Sequence, residues 1–153
     1  DSMRPISALA IFPLLIVLIG IGFWSKTVVI FWTAYPAVIL STINGIYQVD
    51  KNIVQAGMLD GAGKFTLLTR IVLPLASLDI MTGLRISLSA GWISLVAAEM
   101  LGSREGLGYY VMVSSQTFKF PNVYAAILII SFIGLSMNGI LNRIQKWMEH
   151  KFF

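Results

Sequence analysis

The chain has no cysteine, one histidine and few charges. Without cysteine there is no disulfide framework, thiolate nucleophile or thiolate metal site. His150 stands alone near the C-terminus, with no second ligand at metal spacing, and no Ser/His/Asp arrangement suits nucleophilic catalysis. No metal or cofactor is therefore expected. Charged residues fill only 12% of the 153 positions, about half the usual quarter. What replaces them is apolar: 57% of residues are hydrophobic and the mean hydropathy is +0.82. One soluble core of this size does not bury that much apolar surface, which excludes a soluble globular enzyme and a disordered tail. An integral membrane protein remains. Eleven Lys+Arg against seven Asp+Glu give +4, but the basic residues sit singly at the ends of apolar runs. No stripe exists for a phosphate backbone to follow, so the expected partner is the lipid bilayer and not nucleic acid.

Uncharged runs of about 20 residues, enough to cross roughly 30 Å of hydrocarbon, mark four spans: residues 5–24, 27–47, 80–101 and 123–141. The fold class is thus all-α, a polytopic helical membrane protein. Ser25-Lys26 reads as a minimal loop between the first two spans. The third is interrupted by Arg85. Residues 102–122 form a loop that opens with three glycines and carries a short apolar helix, Tyr109–Phe118, closed by Pro121. About ten residues reach only some 15 Å, so this piece is re-entrant or interfacial. Asp1-Ser2-Met3-Arg4 does not read as a signal peptide, since no cleavable small-residue site follows. With the N-terminus inside, the inner flanks hold Arg4, Lys51, Lys64, Arg70, Arg143, Lys146 and Lys151, and the outer flanks only Lys26, Arg104 and Lys119. Both termini are expected in the cytoplasm, with residues 48–73 as a cytoplasmic loop. The tail from Asn142 to Phe153 reads as a basic interfacial anchor carrying Trp147, Phe152 and Phe153.

The 48–73 loop reads as two small helices about a glycine hinge. Asp50 caps the first, Lys51–Leu59, and Gly61-Ala62-Gly63 breaks it. The second, Lys64–Val72, ends against Pro74 and carries a wide apolar face from Phe65, Leu67, Leu68, Ile71 and Val72. So short an amphipathic helix needs a seat. Gly61-Ala62-Gly63-Lys64 is not a nucleotide-binding P-loop, because Met58 stands where the earlier glycine belongs and Phe65 follows the lysine.

Spelled out, the loop is Gln55-Ala56-Gly57, three residues, Gly61, nine residues, Ile71, one residue, Leu73-Pro74. This resembles the EAA loop of permease subunits in binding-protein-dependent ABC importers at every step of its spacing. Thr82-Gly83-Leu84-Arg85-Ile86, Ala98-Glu99-Met100-Leu101-Gly102, Gly106-Leu107-Gly108 and Tyr124-Ala125-Ala126-Ile127-Leu128 resemble the nitrate/sulfonate/taurine branch of that family. Gln55 stands where the family usually has glutamate and Gly57 where it has alanine, which removes a potential salt bridge and costs the helix about 1 kcal/mol. Family members commonly have six spans, and this chain resembles the last four.

The resemblance implies a transport subunit of the bacterial inner membrane without its own ATPase site. It implies a homodimer around a path for a sulfonate-, taurine- or nitrate-like oxyanion, fed by a periplasmic or lipid-anchored solute-binding protein. Related permeases move vitamin precursors instead. It also implies that Gln55, Ala56, Gly57, Gly61, Lys64, Phe65, Leu73 and Pro74 couple to a cytoplasmic ATPase by a helix-in-groove contact. Asn44, Arg85 and Glu99 are candidates for the substrate path or a gate. Each has a plainer alternative: Asn44, like Asn138, as an interhelical hydrogen bond, Arg85 as a side chain snorkelling to the headgroups, Glu99 as a cap or a partner of Arg104. The stripe of Gly83, Ser87 and Gly91, with Ala90, Ser94 and Ala98 beside it, allows close helix packing. A channel or secondary transporter would need intramembrane carboxylates, which Asp79 at a membrane edge does not supply. A non-transporting assembly subunit is the other alternative class.

Overall fold

A computed structural model describes residues 8–152, with side-chain surroundings for 10–148. The expectations placed on Arg4, His150, Lys151, Phe152 and Phe153, and the start of the first apolar run at Pro5, lie outside those residues or their described side chains. All regular structure described is helical: α1 Ala8–Ile19, α2 Phe23–Gln48, α3 Lys51–Leu59, α4 Lys64–Leu67, a π-helical turn Leu68–Val72, α5 Leu73–Gly102, α6 Leu107–Gln116 and α7 Phe120–Phe152. Among the described residues, three helical stretches are long and apolar enough to cross a membrane, Phe23–Gln48, Lys64–Gly102 and Phe120–Met148, with Ala10–Ile19 as a shorter apolar helix.

The break between the first two helices is not at Ser25-Lys26. It lies at Gly20–Gly22, where Gly20 takes φ +91°, a region open to glycine and strained for other residues. Ser25, in the first turn of α2, donates its hydroxyl to the Gly20 carbonyl and is buried. The serine thus closes the turn from inside the helix.

Close packing of α2 on α5 organises the bundle, and the small-residue stripe is its seam. Ala76, Gly83, Ser87, Gly91, Ser94 and Ala98 are buried along one side of α5. A Cβ on Gly83 would fall 2.5 Å from the Ser41 Cβ and 3.2 Å from the Ala37 carbonyl oxygen, so the backbones touch with nothing between them. Phe12, Val29 and Ala98 form a small core where α1, α2 and α5 meet.

Pro74 does not end a helix. The chain runs helically from Lys64 to Gly102, about 58 Å at 1.5 Å per residue. The π-helical turn explains how, since the Leu73 N–H bonds the Leu68 carbonyl five residues back. The extra residue widens the helix just ahead of Pro74, whose ring would otherwise press on the carbonyl four residues earlier and whose missing N–H would leave one acceptor unpaired. Likewise Pro121 opens α7 and does not close the short helix, which spans Leu107–Gln116. Between them Phe118 takes φ +56°, and the Lys119 N–H reaches the Ser114 carbonyl at 2.9 Å. The residues read as an interfacial tail continue α7 without a break as far as Phe152.

Candidate functional site

Residues 50–73 fold into a hairpin at one end of the bundle. The Asp50 carboxylate accepts the Asn52 N–H at 2.8 Å, capping α3. At the other end Gly61 takes φ +78°. The Gly61 N–H bonds the Met58 carbonyl and the Ala62 N–H the Gly57 carbonyl, both at 3.1 Å. These two bonds form a Schellman motif, the reversal that a glycine past a helix end allows. The chain therefore turns back tightly, and α3 lies against α4 and the π-helical turn.

Gly57 is the contact point of that pairing. It is buried, and a Cβ there would stand 2.6 Å from Ile71 Cδ1 and 2.9 Å from Leu67 Cδ2. Leu67 is buried. Gly57 thus faces inward, between the two arms, and its place in the motif concerns the hairpin's thickness. Both neighbours are flexible side-chain ends, so Gly57→Ala should be nearly neutral, a helix gain of about 1 kcal/mol offsetting small shifts. Gly57→Leu should overpack the hairpin by about 1–3 kcal/mol. Faster limited proteolysis between residues 59 and 64 would report the second variant and not the first.

The opposite edge of the hairpin is uncovered. Phe65 is 78% exposed and Leu59 89%, and Met58 is also exposed. Gln55, Ala56, Gly61 and Lys64 are exposed as well. Five of the eight candidate coupling residues are therefore exposed, namely Gln55, Ala56, Gly61, Lys64 and Phe65. Gly57 is buried, while Leu73 and Pro74 sit at the joint with α5.

Asn44, Arg85 and Glu99 do not form one site. Asn44 is exposed on α2, next to Gly45, which packs against Asp79. Arg85 turns toward α7 and donates to the Asn142 Oδ1 at 3.3 Å. Glu99 is fourteen residues further along α5, about 21 Å away.

Glu99 is paired, though not with Arg104. Its Oε1 lies 3.5 Å from the Lys26 Nζ, with side-chain exposures of 13% and 16%. Its Oε2 accepts the Gly108 N–H at 2.9 Å, so the carboxylate sits at the positive end of α6. Lys26 also reaches the Glu105 carbonyl at 3.5 Å. Gly106, at φ +114°, and Gly108 leave room for this node, since a Cβ on either would collide with Glu99. Lys26 carries no local signal of this role in the sequence. Nothing local links it to a partner 73 positions away, and a single lysine between apolar runs resembles ordinary loop punctuation.

Residues 3–153 match the family model described as a binding-protein-dependent transport system inner membrane component. A taurine transport system permease protein of Escherichia coli is 33% identical over 151 residues, covering 96% of this chain and 55% of the relative. A protein named as a probable ABC transporter permease in Brucella abortus is 31% identical over 150 residues, 95% of this chain and 60% of its own. A formylaminopyrimidine transport permease protein of Halalkalibacterium halodurans is 29% identical over 134 residues, 88% and 54%. The chain thus spans little more than half the length of these relatives.

Proposed function

The chain belongs to the family of binding-protein-dependent transport system inner membrane components, and from that premise we propose that it acts as a permease subunit of an ATP-driven importer. The hairpin 50–73 is the element that receives force from a separate cytoplasmic ATPase. One observation carries this reading: Phe65, Leu59 and Met58 stand exposed on a hairpin locked from behind by Gly57 against Leu67 and Ile71. An apolar edge of this kind, presented by a body that moves as a unit, suits a helix-in-groove contact. The helical continuity from Lys64 to Gly102 supports a direct mechanical path from the docking edge into the membrane.

In this reading Gln55, Ala56, Gly61, Lys64 and Phe65 touch the ATPase, and Gly57, Leu73 and Pro74 hold the hairpin's shape. The Thr82–Gln145 and Arg85–Asn142 contacts draw the later turns of α7 beside the hairpin end of α5, which supports a hairpin and a C-terminus on one side, the cytoplasm. The α6 end then faces a solute-binding protein outside. In this reading a second copy of the permease completes the path. The taurine permease relative supports a small sulfonate-class oxyanion as the solute.

Co-purification with the cognate ATPase from membranes tests the docking. Gly61→Pro cannot take φ +78°, so it should lower ATPase recovery at least about tenfold while membrane insertion stays intact. Gly63→Ala, where an added Cβ meets nothing within 4 Å, should leave recovery unchanged. Equal recovery with Gly61→Pro would refute the docking role.

A further inference from the structure

Three polar pairs run along the contact between α5 and α7. Gln145 Nε2 donates to Thr82 Oγ1 at 3.3 Å, and Arg85 Nη1 donates to Asn142 Oδ1 at 3.3 Å. One turn further on, Ser89 and Asn138 line a single cavity of about 460 Å³. The pairs step up one helix and down the other in one antiparallel register. The side chains add to one guanidinium, three amides and two hydroxyls. Among the described residues no carboxylate joins them. Asp79 packs against Gly45 on the α2 side, and Glu99 is held by Lys26 at the far end.

This seam lies within helices apolar enough to span the bilayer, with Ser89 roughly 20 Å along the axis from Gly102. Ser89, Asn138 and Asn142 are exposed there. An arginine and amides on an open face are costly against acyl chains, so water or protein must lie against them. Next to the polar row the cavity turns apolar, lined by Trp92, Ile93 and Leu135. A guanidinium one helical turn from the pocket lining, with amide donors and, among the described residues, no competing acid, fits a compact anion carrying a short organic body.

Building on the permease reading, we infer that the α5–α7 seam is the anion-selecting wall of the translocation path, with Arg85 contacting a sulfonate-class head group and Ser89 and Asn138 bordering the pocket for its body. These 153 residues contain no cysteine, so a thiol introduced into the seam can be compared with the otherwise identical parent transporter in its membrane. Ser89→Cys and, independently, Asn138→Cys are exposed to two small thiol reagents, sulfonatoethyl and trimethylammonioethyl methanethiosulfonate. With Arg85 present the anionic reagent should be favoured, after correction for intrinsic thiol reactivity. Arg85→Gln should lower the anionic-to-cationic rate ratio about tenfold, and Arg85→Lys should largely preserve it. Phe132→Cys, on an exposed apolar part of α7, should react with neither reagent. Two results would overturn the assignment: both seam thiols inert, or a rate ratio indifferent to Arg85→Gln. Failure of the permease reading would look different, with charge selectivity retained while ATPase recovery ignores Gly61→Pro.

Discussion

Gly108→Val should detach α6 from the end of α5 and give the largest stability loss of any single change considered. A Cβ at Gly108 would overlap the Val96 carbonyl oxygen and stand 2.8 Å from the Glu99 Cβ. The first of these is backbone and cannot rotate aside. Accommodating valine therefore means moving α6 bodily. That breaks the 2.9 Å bond from the Gly108 N–H to Glu99 and leaves the carboxylate, 13% exposed, without one of its two partners. Overpacking costs about 1–3 kcal/mol, and a lost hydrogen bond to a charged group about 1.5–3, so together roughly 2.5–6. In a chain of this size such a loss should lower the melting temperature in detergent by at least about 5 °C. Gly139→Ala is the internal control. Nothing lies within 4 Å of an added Cβ there, and a helix interior gains up to about 1 kcal/mol from the change. Equal melting temperatures for Gly108→Val and the parent would mean that α6 does not rest on α5 as described.

The features legible in the sequence are those decided within a few residues. Asp50 as a cap and Gly61 as a left-handed reversal follow from local hydrogen bonding and backbone sterics, and α3 begins and ends where those rules place it, at Lys51 and Leu59. The apolar runs announce spanning helices because the bilayer imposes one length and one polarity. The structure departs from the local rules where a distant contact intervenes. Pro74 is a reasonable helix terminator until a π-helical turn absorbs it. Lys26 reads as a loop residue because its charge is satisfied by Glu99, far away in sequence and adjacent only after α2 and α5 pack. Gly57 reads as a weakened helix position, whereas the arms of the hairpin meet there. Asn142 and Gln145 pass for the start of a polar tail, yet they extend the register set by Asn138 on the same face. That face could have been seen in the sequence, since polar residues recur at three- and four-residue steps in both runs. The pairing of the two faces could not, because antiparallel register depends on the length and turn of residues 103–119.

Phe65→Glu should abolish stable association with the ATPase. The ring is 78% exposed, and the hydrogen bonds at this residue are made by its backbone carbonyl, which accepts the Leu68 N–H and the Thr69 hydroxyl, the latter at 2.8 Å. The side chain therefore contributes little to the hairpin's own stability, and replacing it should leave helix content and membrane insertion unchanged. An aromatic at the centre of a small apolar patch behaves otherwise once a partner covers it. Truncating such an anchor commonly costs 2–4 kcal/mol of binding, and a carboxylate adds the penalty of burying a charge opposite an apolar groove. The affinity should fall by about 30-fold at least, and by more if the glutamate finds no cation. Phe65→Leu, which keeps the apolar contact, should retain most of the binding, and Lys64→Ala beside it should alter mainly the salt dependence. Titration of the detergent-solubilised permease with purified ATPase distinguishes these variants. If Phe65→Glu bound as tightly as the parent, the exposed edge would be lying on lipid headgroups, and force would have to enter the membrane helices by another route.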